Sequence, residues 1–151
     1  MTGILSFGAY LPRHRLQRSA IHAANGWFAG GLKGLAKGEK AVANWDEDAI
    51  TMAVEAARDV LAGVDRTAVS TVSLASTSLP FADRLNAGVV KEALTLEDAT
   101  GAFDVTGGQR VATSALIQAL TAAKGGAEPH LALASEMRRT RPASESEMTY
   151  G

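Results

Sequence analysis

The stretch 102–124, AFDVTGGQRVATSALIQALTAAK, constrains this chain more than any other. An apolar extended run, 102–105, passes through Thr106-Gly107-Gly108 into a long helix of small residues. A strand that turns sharply into a buried helix places one side chain on an exposed elbow. It also aims the first free backbone N–H groups of the helix at whatever sits there. Enzymes use such elbows to present a nucleophile. Here the elbow residue is Gln109, whose amide cannot attack.

The rest of the chain supplies the layers that an elbow needs. Residues 4–10 (ILSFGAY) read as a first strand stopped by Pro12, and Ser19 as the N-cap of a short helix that ends at Gly26. The segment 28–40, FAGGLKGLAKGEK, reads as a mobile Gly/Lys surface loop. It lacks the Gly-x4-Gly-Lys-Ser/Thr spacing that cradles a phosphate. A helix is expected over 46–62. Asp46 is its N-cap, Trp45 and Ile50 form a hydrophobic staple, and Ile50, Val54, Ala57 and Leu61 form its buried stripe. Its charged residues, Glu47, Asp48, Glu55, Arg58 and Asp59, read as a solvated face. Residues 69–76 read as a strand, 85–94 as an amphipathic helix and 130–135 as a last strand. Residues 137–151 read as a polar tail. Strands alternating with helices predict an α/β fold, with a mainly parallel sheet and helices on both faces.

Charge and residue usage exclude several functions. Fifteen basic against sixteen acidic residues leave no electrostatic footprint for nucleic acid. No apolar run approaches a membrane span, and the N-terminal residues do not follow the order of a signal peptide, so a cytoplasmic location is expected. Without cysteine, the chain has no thiol nucleophile and no thiolate metal ligand. His14, His22 and His130 show no metal-ligand spacing, so no metal is expected.

Five segments, taken in order, carry a resemblance. GILSFGAYLPRHRL, GEKAVANWDEDAITMAVEAARDVL, LASTSLPFADRLNAGVV, FDVTGGQRVATSALIQAL and ALASEMRRTRPASESEMTYG together resemble hydroxymethylglutaryl-CoA synthase-like proteins. These belong to the thiolase superfamily and are related to the type III ketoacyl synthases. Members have two similar halves. The resemblance therefore implies that residues 1–151 are a thiolase-like N-terminal half-domain, with the C-terminal half absent from this chain. It also implies an acyl-CoA substrate, with no bound cofactor. The implied partners are a second copy of the chain, or a thiolase-like subunit with a small OB-fold acyl-CoA-binding protein.

The resemblance places Gln109 at the family's nucleophilic cysteine, in the register set by Phe103-Asp104-Val105 and by 112–116. It places Thr77 at the family's acid/base glutamate. Neither residue keeps the family chemistry. Thr106, Thr113 and Ser114 read as structural hydroxyls rather than substitute nucleophiles. Arg138, Arg139 and Arg141 form a short basic cluster, open to two readings: contact with CoA phosphates or solvated charge. Three functions stay open. The chain is a subunit acting on acyl-CoA thioesters with an altered nucleophile position, a decarboxylase-type relative using Gln109 as oxyanion donor, or a non-catalytic scaffold.

Overall fold

A computed structural model describes residues 2–126 and 128–150. The chain divides into two compact units, Met1–Tyr10 with Glu47–Glu136, and Leu11–Asp46 with Met137–Gly151.

The first unit is built on a three-stranded parallel sheet. Its strands are β3 (Thr71–Ala75), β4 (Gly101–Val105) and β5 (His130–Ala134), in the spatial order β4-β3-β5. β3 pairs both neighbours, with Ala75 opposite Val105 on one side and Ala134 on the other. A central strand is covered on both faces, so it reads as a continuous run of small and apolar residues. Val72 and Leu74 are fully buried and point, with Leu131 and Leu133, into the main core. Two helices, α2 (Ala49–Val60) and α3 (Asn86–Ala93), supply the rest of that core through Ile50, Val54, Ala57, Ala87 and Val90. The other sheet face packs Ala75 and Val105 against Val111 and Ala115 of α4 (Val111–Lys124). The expected parallel sheet with helices on both faces is therefore present.

Several boundaries differ from the sequence reading. The N-cap of α2 is Asp48, not Asp46. Its carboxylate accepts from Ile50 N and Thr51 N at 2.9 and 2.8 Å, and the Thr51 hydroxyl accepts from Asp48 N at 2.7 Å. This reciprocal box satisfies more free amides than a cap two residues earlier could. The expected staple is not formed, since Trp45 is 92% exposed. Residues 4–10 form no strand. Ser6 Oγ donates to Val60 O and Ala9 N to Asp59 Oδ2, so the segment is fastened to the end of α2 rather than to a ladder. Gly8 permits that approach, because a Cβ there would lie 2.5 Å from Val60 N.

In the second unit, β1 (His14–Gln17) and β2 (Glu39–Val42) form an antiparallel pair that the sequence reading did not contain. Between them, α1 (Arg18–Asn25) begins at Arg18 after Gln17, so Ser19 is not its cap. The segment read as a mobile loop holds a 3-10 helix, Gly30–Leu35, with Leu32 buried, and runs into β2. The segment read as a polar tail carries α5 (Glu145–Thr149), capped by Ser144. Met148 of α5 is fully buried with Ile21 and Leu32. Its carbonyl accepts from Arg18 Nε at 2.6 Å, and the Glu147 carbonyl accepts from Lys40 Nζ at 2.8 Å. Burial lowers the Lys40 pKa below 10.5, with the Glu147 carboxylate opposing that shift and Arg18 adding to it. Among the described residues, no helix is long and apolar enough to cross a membrane.

Candidate active site

Because the three strands are parallel and in register, their C-terminal ends reach one edge of the sheet together. Ligands of open parallel sheets gather at that edge. Each ladder continues one residue beyond its strand. Ser76 N donates to Val105 O, and Ser135 N to Ala75 O, both at 3.1 Å. The next residues are Thr77 after β3 and Glu136 after β5, while the Thr106-Gly107-Gly108-Gln109 turn follows β4.

That turn is the expected elbow. Gly107 has φ +96°, a conformation that L side chains rarely adopt, and a Cβ would meet nothing within 4 Å. Glycine is needed for the backbone conformation, not for space. α4 begins at Val111 with Arg110 as its N-cap, and no side chain caps it. Its first amides thus keep their donor capacity, and the positive end of the helix dipole lies just beyond Gln109. Gln109 itself is exposed.

Thr77 is not isolated. Its backbone N donates to Glu136 Oε1 at 2.6 Å and its hydroxyl to Glu136 Oε2 at 3.0 Å. The Ser78 hydroxyl donates to Oε2 at 2.9 Å. Ser78 is in turn fixed by its own N–H, which donates to Ser76 Oγ at 3.0 Å. A carboxylate therefore stands beside the position read as the lost acid/base residue, but it comes from the neighbouring strand. Sequence reasoning did not single out Glu136. The available signal was an acidic residue directly after an apolar strand, at the ligand-binding end of a parallel sheet.

The chain that leaves β3 is anchored deeper. Asp104 of β4 accepts from Asn86 N, Asn86 Nδ2 and Ala87 N at 3.0, 2.8 and 2.7 Å. It thus places a negative charge at the start of α3, where the helix dipole favours it. Asn86, almost fully buried, also accepts from Phe81 N and donates to Phe81 O and Arg84 O. Arg84 lies over the Phe81 ring at 5.3 Å.

The structure brings Thr77 and Glu136 into direct contact, and Gln109 shares their sheet edge. Arg138 and Arg139 fall in the other compact unit, where the Arg138 guanidinium sits 4.9 Å over the Tyr150 ring. His130 lies at the opposite end of β5 from Glu136.

Known proteins share the chain's sequence and fold. No protein-family model matches the chain. It is 34% identical over 146 residues to a hydroxymethylglutaryl-CoA synthase of Archaeoglobus fulgidus, a match that takes in 94% of this chain and 43% of that protein. The chain thus spans about two fifths of that curated relative's length. The structure of an HMG-CoA synthase complexed with CoA superposes with a TM-score of 0.87 at 24% identity, over 100% of this chain and 40% of that one. β-Ketoacyl-[acyl carrier protein] synthase III from Thermus thermophilus superposes with a TM-score of 0.73 at 26% identity, over 89% and 43%. At these identities the 24% match speaks for the fold alone.

Proposed function

The chain is a hydroxymethylglutaryl-CoA synthase-like part of the thiolase superfamily, and from that premise we propose that it handles acyl-CoA thioesters without forming an acyl-enzyme on its own elbow. The observation that carries this reading is Gln109 at the turn between β4 and α4, in a chain with no cysteine. Covalent acyl transfer needs a nucleophile there, and an amide nitrogen is not one. What the amide can do is donate. Gln109 is exposed and directly precedes the Arg110 N-cap of an uncapped helix, so its amide N–H and the positive end of the dipole are both available at this turn. Such an arrangement suits the oxygen of a thioester enolate. The chemistry would be carbon–carbon bond formation or cleavage next to a thioester, as one subunit of a complex. The implied partners are a thiolase-like protein and a small OB-fold acyl-CoA-binding protein, or a second copy of this chain.

A second reading is favoured by the same donors: decarboxylation of a malonyl thioester, which requires an oxyanion donor and no nucleophile. Arg138 and Arg139 are proposed as contacts for the CoA phosphates.

The test is intact mass of the full chain after incubation with acetyl-CoA, beside calorimetric binding of the same thioester. Saturable binding with an unmodified mass is expected. A stable acetyl adduct would refute the absence of an acyl-enzyme, and no binding would leave only a scaffold role. With malonyl-CoA, Gln109→Ala should slow carbon dioxide release by about 100-fold if Gln109 is the oxyanion donor.

A further inference from the structure

We propose that Glu136 is the proton-transfer carboxylate of this site, supplied from the end of β5 to the place where Thr77 stands after β3. This rests on the acyl-CoA reading above and names the residue that would perform its proton step.

The argument starts from register. β3 and β5 are parallel neighbours with Ala75 opposite Ala134, and the ladder extends through Ser135 N to Ala75 O. Two residues beyond each pairing lie Thr77 and Glu136. Glu136 therefore reaches the sheet edge beside Thr77 through backbone pairing, not by a chance swing of a surface side chain. The clasp then fixes the carboxylate. Thr77 N holds Oε1, while the Thr77 and Ser78 hydroxyls hold Oε2.

The clasp also gives the group a direction. An ionised carboxylate offers about four acceptor positions, two on each oxygen. Three donors from Thr77 and Ser78 occupy both positions on Oε2 and one on Oε1. The remaining position is on Oε1, the oxygen that only a backbone N–H holds. Glu136 is exposed, so this position is open to a ligand at the sheet edge. A long flexible side chain held by three bonds loses little more freedom when it meets a substrate, which is what a positioned base requires.

The step balances without a further reactant. The Glu136 carboxylate takes a proton from the carbon next to the thioester carbonyl. The C–H electron pair moves into the carbon–carbon bond to the carbonyl, whose oxygen becomes the enolate oxygen. Return of a proton from the Glu136 carboxylic acid to that carbon restores the thioester. Attack of the enolate on a second carbonyl would be the productive alternative.

This step is read directly as exchange of the acetyl-CoA methyl protons in D2O, followed by NMR with the full chain. The wild-type chain should bind acetyl-CoA and deuterate it. Glu136→Gln, nearly isosteric, should slow exchange by about 100-fold with acetyl-CoA affinity unchanged and the chain still folded, and should flatten the acidic limb of the pH–rate profile. Glu136→Asp keeps the charge but withdraws the carboxylate by one methylene, and should slow exchange by about tenfold. Exchange by Glu136→Gln at the wild-type rate and with the wild-type pH profile would overturn the proposal. If Glu136→Gln does not fold, Glu136→Asp decides, and a wild-type rate there overturns it. A wild-type chain that binds acetyl-CoA but exchanges no protons overturns the role of Glu136 while leaving the acyl-CoA reading standing. A chain that binds no acetyl-CoA overturns both.

Discussion

Replacing Asp104 by alanine should destabilise the first unit by about 3 kcal/mol, and the magnitude follows from what its carboxylate holds. Three donors end on it: the backbone N–H groups of Asn86 and Ala87, and the Asn86 side-chain amide. A hydrogen bond to a charged group contributes about 1.5–3 kcal/mol, and a charge at a helix start adds about 0.3–1 kcal/mol. The terms do not add, because all three donors share one acceptor group and Asp104 is only half-buried. Water can reach part of the site after truncation. The buried Asn86 amide and Ala87, both almost without exposure, cannot be rescued so readily. One bond's full loss plus the desolvation of one orphaned donor gives about 3 kcal/mol, or roughly a 150-fold change in the folding equilibrium. Asp104→Asn keeps one acceptor oxygen but turns an NH2 toward a donor, and should cost about 2 kcal/mol. Denaturant unfolding of the full chain measures both variants, with the slope checked for unchanged cooperativity. Amide exchange at Asn86 and Ala87 should accelerate first, because the start of α3 loses its anchor. Two results would refute the reasoning. One is an Asp104→Ala variant of wild-type stability. The other is additivity with Asn86→Ala, since residues in one hydrogen-bond network should show a coupling energy of about 1 kcal/mol.

The second unit offers two further tests. Met148→Ala removes a fully buried side chain from the Ile21–Leu32 cluster and should cost about 3 kcal/mol, speeding amide exchange in α1 by about 100-fold; unchanged exchange there would show that α5 does not stabilise the unit. Lys40 has a folded pKa below its unfolded 10.5, chiefly from burial. Between those two values the unfolded chain binds more protons than the folded one, so the stability contribution of Lys40 should rise with pH up to 10.5 and stay flat below the window. Lys40→Met should abolish that rise in a pH series of unfolding curves, and a parallel pH dependence of the two proteins would contradict it.

How much of this was legible in the sequence depends on where each signal lives. β3 was readable because a central strand covered on both faces takes small and apolar residues, as VSTVSLAS does, and β5 because HLALAS is a short apolar run whose leucines are buried while Ala132 and Ala134 are exposed. The elbow was readable because Gly107 is demanded by its own φ, a strictly local need. The β1–β2 ribbon was not. HRLQ is exposed along its whole length, so it carries no alternation, and only its pairing with EKAV makes it a strand. α5 was missed for a similar reason. ESEMT is too short to show periodicity, and Met148 acquires its role from residues more than 100 positions away. The N-cap of α2 was misplaced because Asp46 and Asp48 are equivalent in composition. Only the reciprocal bond from Thr51 separates them.

Glu136 marks the deeper limit, because its meaning is relational. Alone, SEMRR is a polar exit from a strand. Thr77 alone reads, by the resemblance, as the place of an absent carboxylate. The two become one site only when β3 and β5 pair, 59 residues apart in sequence. A residue-by-residue comparison along the chain finds a threonine where a glutamate was expected and concludes that the chemistry has gone. A comparison by position in space finds a carboxylate held by that same threonine. What must be conserved for proton transfer is an oriented acceptor at the sheet edge, not the strand it comes from. The elbow can be argued the same way. Gln109 cannot replace a nucleophile, but a donor beside an uncapped helix start after β4 and an acceptor after β5, with β3 between them, would be complementary halves of enolate chemistry. On the proposed reading the missing nucleophile would remove the covalent step and leave that pair in place, so the exchange of a thioester's α-protons is the activity that separates a retained site from an inert one.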